Sequence, residues 1–358
     1  MRVEIHMNRF RIKFIGSRVV KTGVAVFLTS LICQLIGWPA VFAVITAIVT
    51  IEPTVSDSIK KGIVRLPASA IGSAYAVFFI FLFGNSPITY TAAAVFTIIT
   101  CFKLKLRDGL LVATLTSVAM IEVIHSNFLI SFFIRLGTTS IGLLVSTFVN
   151  MFVLPPNYSS KIMSNIHSLL RATGEELEVL TNEIFPNKHK QEKNELLIKQ
   201  TFAKLKRELD QTDMLVRFQK EEARYHRFND EQKKLFEDEQ EKIAALRLIH
   251  YHIGNLINTP FTEITWSNQE CHALTKSVYT IADTMKYPDH FSLEKHREQI
   301  TSLMEQFWLL KRELATNETS NTSTFFTAEI IILYELLSIY NLVEELLVDF
   351  KTEEALRE

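Results

Sequence analysis

Several things are missing from this 358-residue chain, and each absence removes a class of protein. No C-x-x-C pair occurs. The three cysteines, Cys33, Cys101 and Cys271, are too few and too scattered for a disulfide framework. That fits a reducing cytosol around the C-terminal half. No Gly-rich phosphate loop is present, so no internal ATPase is indicated. The ten histidines do not group at metal-ligand spacing. His250 and His252 are two apart and point to different sides of a helix, while His226 and His272 are isolated. No nucleophile–base arrangement can be read, and no cofactor or enzymatic activity is expected. No strand alternation and no repeat period occur. Basic residues of the C-terminal half are interleaved with acids, which argues against a nucleic-acid surface.

What is present divides sharply. Residues 1–156 hold 13 Lys/Arg and 5 Asp/Glu, a net of +8, whereas residues 157–358 hold 25 and 34, a net of −9. The formal total of −1 conceals this. All long apolar runs fall in the first part. A helix needs roughly 20 apolar residues to cross the hydrocarbon core. The candidates are Val19–Trp38, Pro39–Ile51, Pro67–Phe83, Ile88–Phe102, Gly109–Ile121 and Phe128–Leu154. The second and fifth are short and end at Glu52 and Glu122. The basic start and first apolar run mimic a signal peptide, but Gly37-Trp38-Pro39 lacks a small-residue cleavage site, so the run reads as a retained span.

Loop charge supplies the topology. Arg2, Arg9, Arg11, Lys13, Arg18 and Lys21 precede the first segment. Lys60, Lys61 and Arg65 lie between the second and third, and Lys103, Lys105 and Arg107 between the fourth and fifth. The alternate loops, Gly37–Pro39, Gly84–Pro87 and Glu122–Asn127, contain no Lys or Arg. All basic loops fall on one side only if six segments span, with both termini cytoplasmic. Ala68, Gly72 and Ala76 share one helix face, suited to close helix contact in lipid. Gly137 and Gly142 lack that spacing.

Beyond Pro155-Pro156 the pattern turns helical and polar: about 159–184, 191–227, 230–257, 267–286, 292–315 and 324–351. Leu196, Phe202, Leu205, Leu209 and Leu215 approximate one stripe. Leu333, Leu336, Leu337, Tyr340, Val343 and Leu347 make another. Breaks are expected at Phe185-Pro186-Asn187, Phe228-Asn229-Asp230, Thr259-Pro260, Tyr287-Pro288-Asp289 and the run Thr316–Thr324. The expected fold is all-α: a six-span transmembrane domain over 1–156, then a cytoplasmic antiparallel helical bundle over 157–358.

The densest polar stretch runs from Thr50 to Pro67. Pro53 favours a break at Glu52. Ser56-Asp57-Ser58 can cap a following amphipathic helix carrying Lys60, Lys61 and Arg65 on its polar side. Two readings stand: a pore mouth that gathers anions, or topology-setting charges at an interface. Arg135 lies inside the last apolar run, where an arginine is expensive and faces a partner, a cavity or the interface. It either coordinates anions in a permeation path or marks the outer end of a span that starts at Leu136. Glu52 is the natural counter-charge to the basic residues, a candidate proton carrier, or a helix-end residue.

Thr46-Ala-Ile-Val-Thr-Ile-Glu-Pro-Thr54, then Lys61-Gly62 and Arg65-Leu-Pro-Ala-Ser-Ala-Ile-Gly72, resembles the bacterial aromatic acid exporter family, part of the fusaric-acid-resistance-like superfamily. Arg135, seven residues before Gly142, with Asn150 and Pro155-Pro156 closing the span, is similar too. The resemblance covers about residues 15–156; the helical tail is similar in layout. It implies a multi-pass protein of the bacterial inner membrane that moves small organic anions, with efflux of aromatic carboxylates the expected activity. Larger relatives carry the six-span unit twice, so a single unit implies a homodimer driven by proton motive force or passing anions passively. Arg135, Arg65, Glu52, Lys60 and Lys61 are the candidate substrate or pore residues. The alternative is a membrane-anchored dimeric interaction or regulatory protein whose bundle docks a cytosolic partner. A water-lined cavity at Arg135 or Glu52 favours transport, and a solid membrane core with an apolar groove on the bundle favours the anchor.

Overall fold

The computed structural model describes residues 16–123, 128–184, 195–225, 230–259, 264–317 and 327–357. Arg2, Arg9, Arg11, Lys13, His226, the loop 124–127 and the breaks at 185–187, 228–229, 260 and 318–324 lie outside them. The described residues form twelve α-helices and no strand. They divide into two compact units, Met1–Asn157 with Lys220–Arg227, and Tyr158–Gln219 with Phe228–Glu358.

The first unit holds α1 (Ser17–Ile36), α2 (Ala40–Thr50), α3 (Val55–Phe83), α4 (Pro87–Lys103), α5 (Leu110–Val123) and α6 (Phe128–Phe152). Helices α1, α3 and α6 are long and apolar enough to cross a membrane, while α2 and α4 are shorter apolar helices. α3 packs on α4, α5 and α6, and α6 packs on α1 and α2.

One expectation needs correction. No separate amphipathic helix precedes the third segment. Thr54, rather than Ser56-Asp57-Ser58, provides the cap by accepting from Asp57 N at 3.0 Å. The helix then runs through Pro67 without a break. Its 29 residues rise about 44 Å at ~1.5 Å each, more than a ~30 Å hydrocarbon core. Proline removes one helical hydrogen bond and crowds the carbonyl four residues earlier, which a long helix packed among others in a membrane accommodates.

The outer surface of the unit is apolar, and its interior mixes small apolar residues with many hydroxyls. Phe27, Leu35, Phe81, Phe133 and Leu144 are exposed, whereas Thr29, Thr46, Ser69, Ser73, Thr116, Thr138, Thr139, Ser146 and Asn150 are buried. Exposed large apolar side chains over an interior of small and hydroxyl-bearing residues suit packing in lipid. Small residues seat the helices. A Cβ on Gly72 would meet Ala113 O at 2.3 Å, so the Ala68–Gly72–Ala76 face lies directly on α5. Gly137 and Gly142 are close contacts as well, against the Trp38 ring and Ala43 O, but with different neighbours.

The second unit holds α7 (Ser159–Ile184), most of α8 (Glu195–Glu222), α9 (Asp230–Asn258), α10 (Asn268–Lys286), α11 (Leu293–Asn317) and α12 (Ala328–Arg357). Ser267 starts α10 with a capping box to Glu270. α7 packs on α9 and α10, and α12 packs on α9 and α11. Its core is one continuous aliphatic cluster, including Leu169, Leu177, Leu246, Ile253, Ile281, Leu336 and Tyr340. The α12 stripe is buried throughout. Of the expected α8 stripe, Leu205 and Leu209 are buried and Phe202 and Leu215 pack on the core, joined by Ile198 and Val216, while Leu196 is exposed.

Candidate functional site

Two polar clusters occupy the interior of the first unit, and buried hydroxyls join them. The first is built around Arg135, which α6 places on its inner face at 4% exposure. Its Nη2 donates to Thr116 Oγ1 on α5. The guanidinium carbon sits 4.2 Å from the centre of the Phe42 ring on α2, within cation–π range. Nε and Nη1 have no hydrogen-bond partner among the described residues. Thr138 and Thr139 donate back to the Arg135 carbonyl at 2.9 Å each. A recess of about 70 Å³ opens beside the guanidinium, lined by Pro39, Phe42, Met120, Ile134 and Thr138 among others. Arg135 is turned into the helix packing, near Pro39 ahead of α2 and Val123 at the end of α5.

The second cluster lies where the chain breaks between α2 and α3. Glu52 receives Arg65 Nη2 at 2.7 Å on one carboxylate oxygen and Lys61 Nζ at 3.0 Å on the other. Arg65 spends its remaining donors on Val49 O at 3.1 Å and Asp108 O at 3.3 Å. Burial opposes ionisation of Glu52, but the hydrogen bonds and charges of Arg65 and Lys61 outweigh it and hold the carboxyl below its ordinary value. Lys60 points elsewhere. It is mostly exposed and reaches Glu221 at 3.5 Å, so the three cations do not share one polar side.

A hydrogen-bonded centre missing from the sequence reading sits beside this cluster. Asn150 Nδ2 donates to Ser58 Oγ at 2.9 Å, Glu52 O at 3.1 Å and Thr54 O at 3.2 Å. Asn150 Oδ1 accepts from Lys21 Nζ at 2.8 Å. Lys21, expected ahead of the first span, is therefore inside α1 and buried. Ser58 Oγ in turn donates to Thr50 O at 3.1 Å. Glu222 takes Val55 N at 2.6 Å, satisfying an amide at the start of α3.

Between the clusters, Arg65, Ser69 and Ser73 follow one face of α3 and are all buried. Ser69 Oγ lies 3.2 Å from Thr139 Oγ1 and 3.4 Å from Thr116 Oγ1. Thr116 is the partner of Arg135. The two arginines are thus linked by one helical turn, about 6 Å of rise, and a pair of hydroxyl contacts. Of the five sequence candidates, Glu52, Lys61 and Arg65 meet directly. Arg135 stands at the other end of this seam, and Lys60 is outside it.

An apolar outer surface over buried hydroxyls, a buried guanidinium and helices long and apolar enough to span is the packing of an α-helical membrane protein. Residues 13–153 match the model described as aromatic acid exporter family member 1. Most of the chain is similar to UPF0421 proteins. The identity is 47% over 333 residues with one from Oceanobacillus iheyensis, covering 93% of this chain and 95% of that one. It is 42% over 344 residues with one from Bacillus cereus, covering 95% of each, and 37% over 338 residues with one from Staphylococcus haemolyticus, covering 94% and 99%. The chain belongs to the family of these UPF0421 proteins, and the aromatic acid exporter match over residues 13–153 points to membrane transport.

Proposed function

We propose that the protein carries small organic anions across the bacterial inner membrane, with aromatic carboxylates as the substrate class. The observation that carries this reading is Arg135: a buried guanidinium with two nitrogens unpartnered among the described residues, an aromatic ring against its face and a recess beside it. An arginine fork suits a carboxylate, and Phe42 offers an apolar surface to a substrate ring. At about 30 Å³ per water, the recess of about 70 Å³ has room for a carboxylate group. A ring would need the lining to widen. The seam from Arg65 through Ser69 to Thr116 is the route an anion would follow between the two cationic ends.

The same reading has six spans, both termini in the cytoplasm and a domain boundary near residue 156, as the one-sided basic loops support. It also has two copies of the chain together, on the resemblance to larger relatives. Flux of benzoate and hydroxybenzoates from proteoliposomes is the test. Uptake or release above protein-free vesicles, lost in Arg135→Gln, is expected. No flux of any aromatic acid through the wild type would overturn it.

A second reading has one observation of its own. An apolar groove of about 450 Å³ on the second unit is lined by Phe307, Lys311, Ile330, Ile331, Tyr334 and Glu335, with exposed Trp308 and Leu309 nearby in sequence. A membrane-anchored interaction protein would use such a surface, and would show no flux.

A further inference from the structure

Glu52 holds the position that a substrate carboxylate would seek. Its two oxygens are bound separately by Arg65 and Lys61, which is the pattern a free carboxylate makes with two cations. Arg65, one of the two cations, does not depend on Glu52 alone for its place. Arg65 is also anchored to Val49 O and Asp108 O. Glu52 itself belongs to no helix, lying between the end of α2 at Thr50 and the start of α3 at Val55. Asn150 fixes the Glu52 and Thr54 carbonyls, so the backbone stays while the side chain turns.

We propose that the Glu52 carboxylate is the resting occupant of a second anion subsite, and that an incoming carboxylate replaces it on Arg65 and Lys61 while Glu52 takes up one proton. This rests on the transport reading above and specifies how the Arg65 end of the seam is loaded. Charge decides the proton's part. With Glu52 ionised, the trio Arg65, Lys61 and Glu52 carries a net single positive charge. A second carboxylate would place two like charges on the same pair of cations, and like charges at contact raise the proton affinity of one of them. Protonating Glu52 as the anion binds restores the original net charge. No bond other than the O–H of the Glu52 carboxyl is formed.

The charged groups around the break come from each neighbouring element. α1 brings Arg18, bonded to Ile51 O at 3.3 Å, and Lys21, bonded to Asn150. α3 brings Asp57 and Lys60, and the turn before α5 brings Arg107 and Asp108. Residues 220–227 bring Glu221, paired with Lys60, and Glu222, on Val55 N. α6 contributes the neutral Asn150. Among the described residues, only Arg65 and Lys61 bond the Glu52 carboxylate.

Calorimetry of benzoate binding to the purified full-length protein, in two buffers of different ionisation enthalpy between about pH 5 and 7, counts the protons. The wild type should take up close to one proton per benzoate at the upper end, its affinity falling by up to about tenfold per pH unit. Glu52→Gln should bind with no proton uptake and no pH dependence. Binding to Glu52→Gln but not to the wild type would also support an internal occupant. Benzoate binding to the wild type without proton uptake, or equal uptake by Glu52→Gln, would overturn the subsite and leave the transport reading standing. Benzoate binding to neither protein would overturn the subsite, and the flux assay over aromatic acids then decides the transport reading separately. If Glu52→Gln fails to fold, the wild-type proton count decides alone.

Discussion

Arg135 lays its guanidinium over the ring of Phe42, 4.2 Å from the centroid, and binds Thr116 with only one of its three nitrogens. A buried cation in this state is held by an aromatic face and one hydroxyl, so an arriving anion meets donors that are already desolvated. Arg135→Gln should cut benzoate flux by at least about tenfold, equivalent to ~1.4 kcal/mol. Arg135→Lys should recover part of it, because charge remains while the planar fork is lost. Phe42→Leu should weaken binding by about 0.5–2 kcal/mol, the range of a cation–π contact. Flux through Arg135→Gln equal to wild type, with equal protein in the vesicles, would remove Arg135 from the path.

Topology can be read with single thiols in a background lacking Cys33, Cys101 and Cys271. Ser58 is a poor reporter site because its hydroxyl is buried against Asn150 and Thr50. Lys60 and Asn85 are both exposed. Lys60→Cys should label only from the cytoplasmic side, and Asn85→Cys only from the outside. Labelling of both from one side would end the six-span arrangement.

The parts of this architecture that were legible in the sequence are those written in local pattern. α7 occupies its expected residues, and α9 and α10 lie within one residue of theirs. Caps, prolines and apolar period act within a few residues of each boundary. The Ala68–Gly72–Ala76 stripe announced a close contact, and the lone charge in an apolar run announced Arg135. Pairing over long separations was not legible. Nothing local tells Lys21 that Asn150 waits 129 residues away, so Lys21 read as a loop charge. Pro67 read as a boundary because a proline breaks an isolated helix. Inside α3, packing on α4, α5 and α6 holds the helix together across it.

Asn150 ties three elements of the first unit: α1 through Lys21, the α2–α3 break through the Glu52 and Thr54 carbonyls, and α3 through Ser58. Ser58 Oγ still accepts from Glu52 N and Thr54 O from Ser58 N, so truncating Asn150 chiefly leaves Lys21 and the Glu52 carbonyl short of a partner, each at about 1–3 kcal/mol for a buried group. Asn150→Ala should therefore lower stability by several kcal/mol, seen as a fall in the thermal midpoint in detergent. Asn150→Asp keeps an acceptor for Lys21 but loses both donors, so it should be destabilised too, by less. An unchanged midpoint for Asn150→Ala would show that the cluster is not a structural tie.

The second unit carries a pH-sensitive carboxyl of its own. Glu176 on α7 is 2% exposed, and neither oxygen has a hydrogen-bond partner among the described residues. Burial pushes its pKa up from the ordinary carboxyl range to about 7. In the unfolded chain it ionises near its ordinary value, so between about pH 4.5 and 7 the folded unit holds a proton that the unfolded chain has released. Folding stability from this group is therefore greatest below the ordinary value, falls as pH rises toward 7, and levels off above it. At ~1.4 kcal/mol per pKa unit, the loss is on the order of 3 kcal/mol. Residues 157–358 are numerous enough to bury a core of their own. Expressed alone, they should fold as a helical unit by circular dichroism. Glu176→Gln should then stabilise this fragment at pH 8 and change it little near pH 4. Urea midpoints across that range provide the measurement. A midpoint difference between the two proteins that does not grow with pH would mean that Glu176 ionises normally in the folded unit.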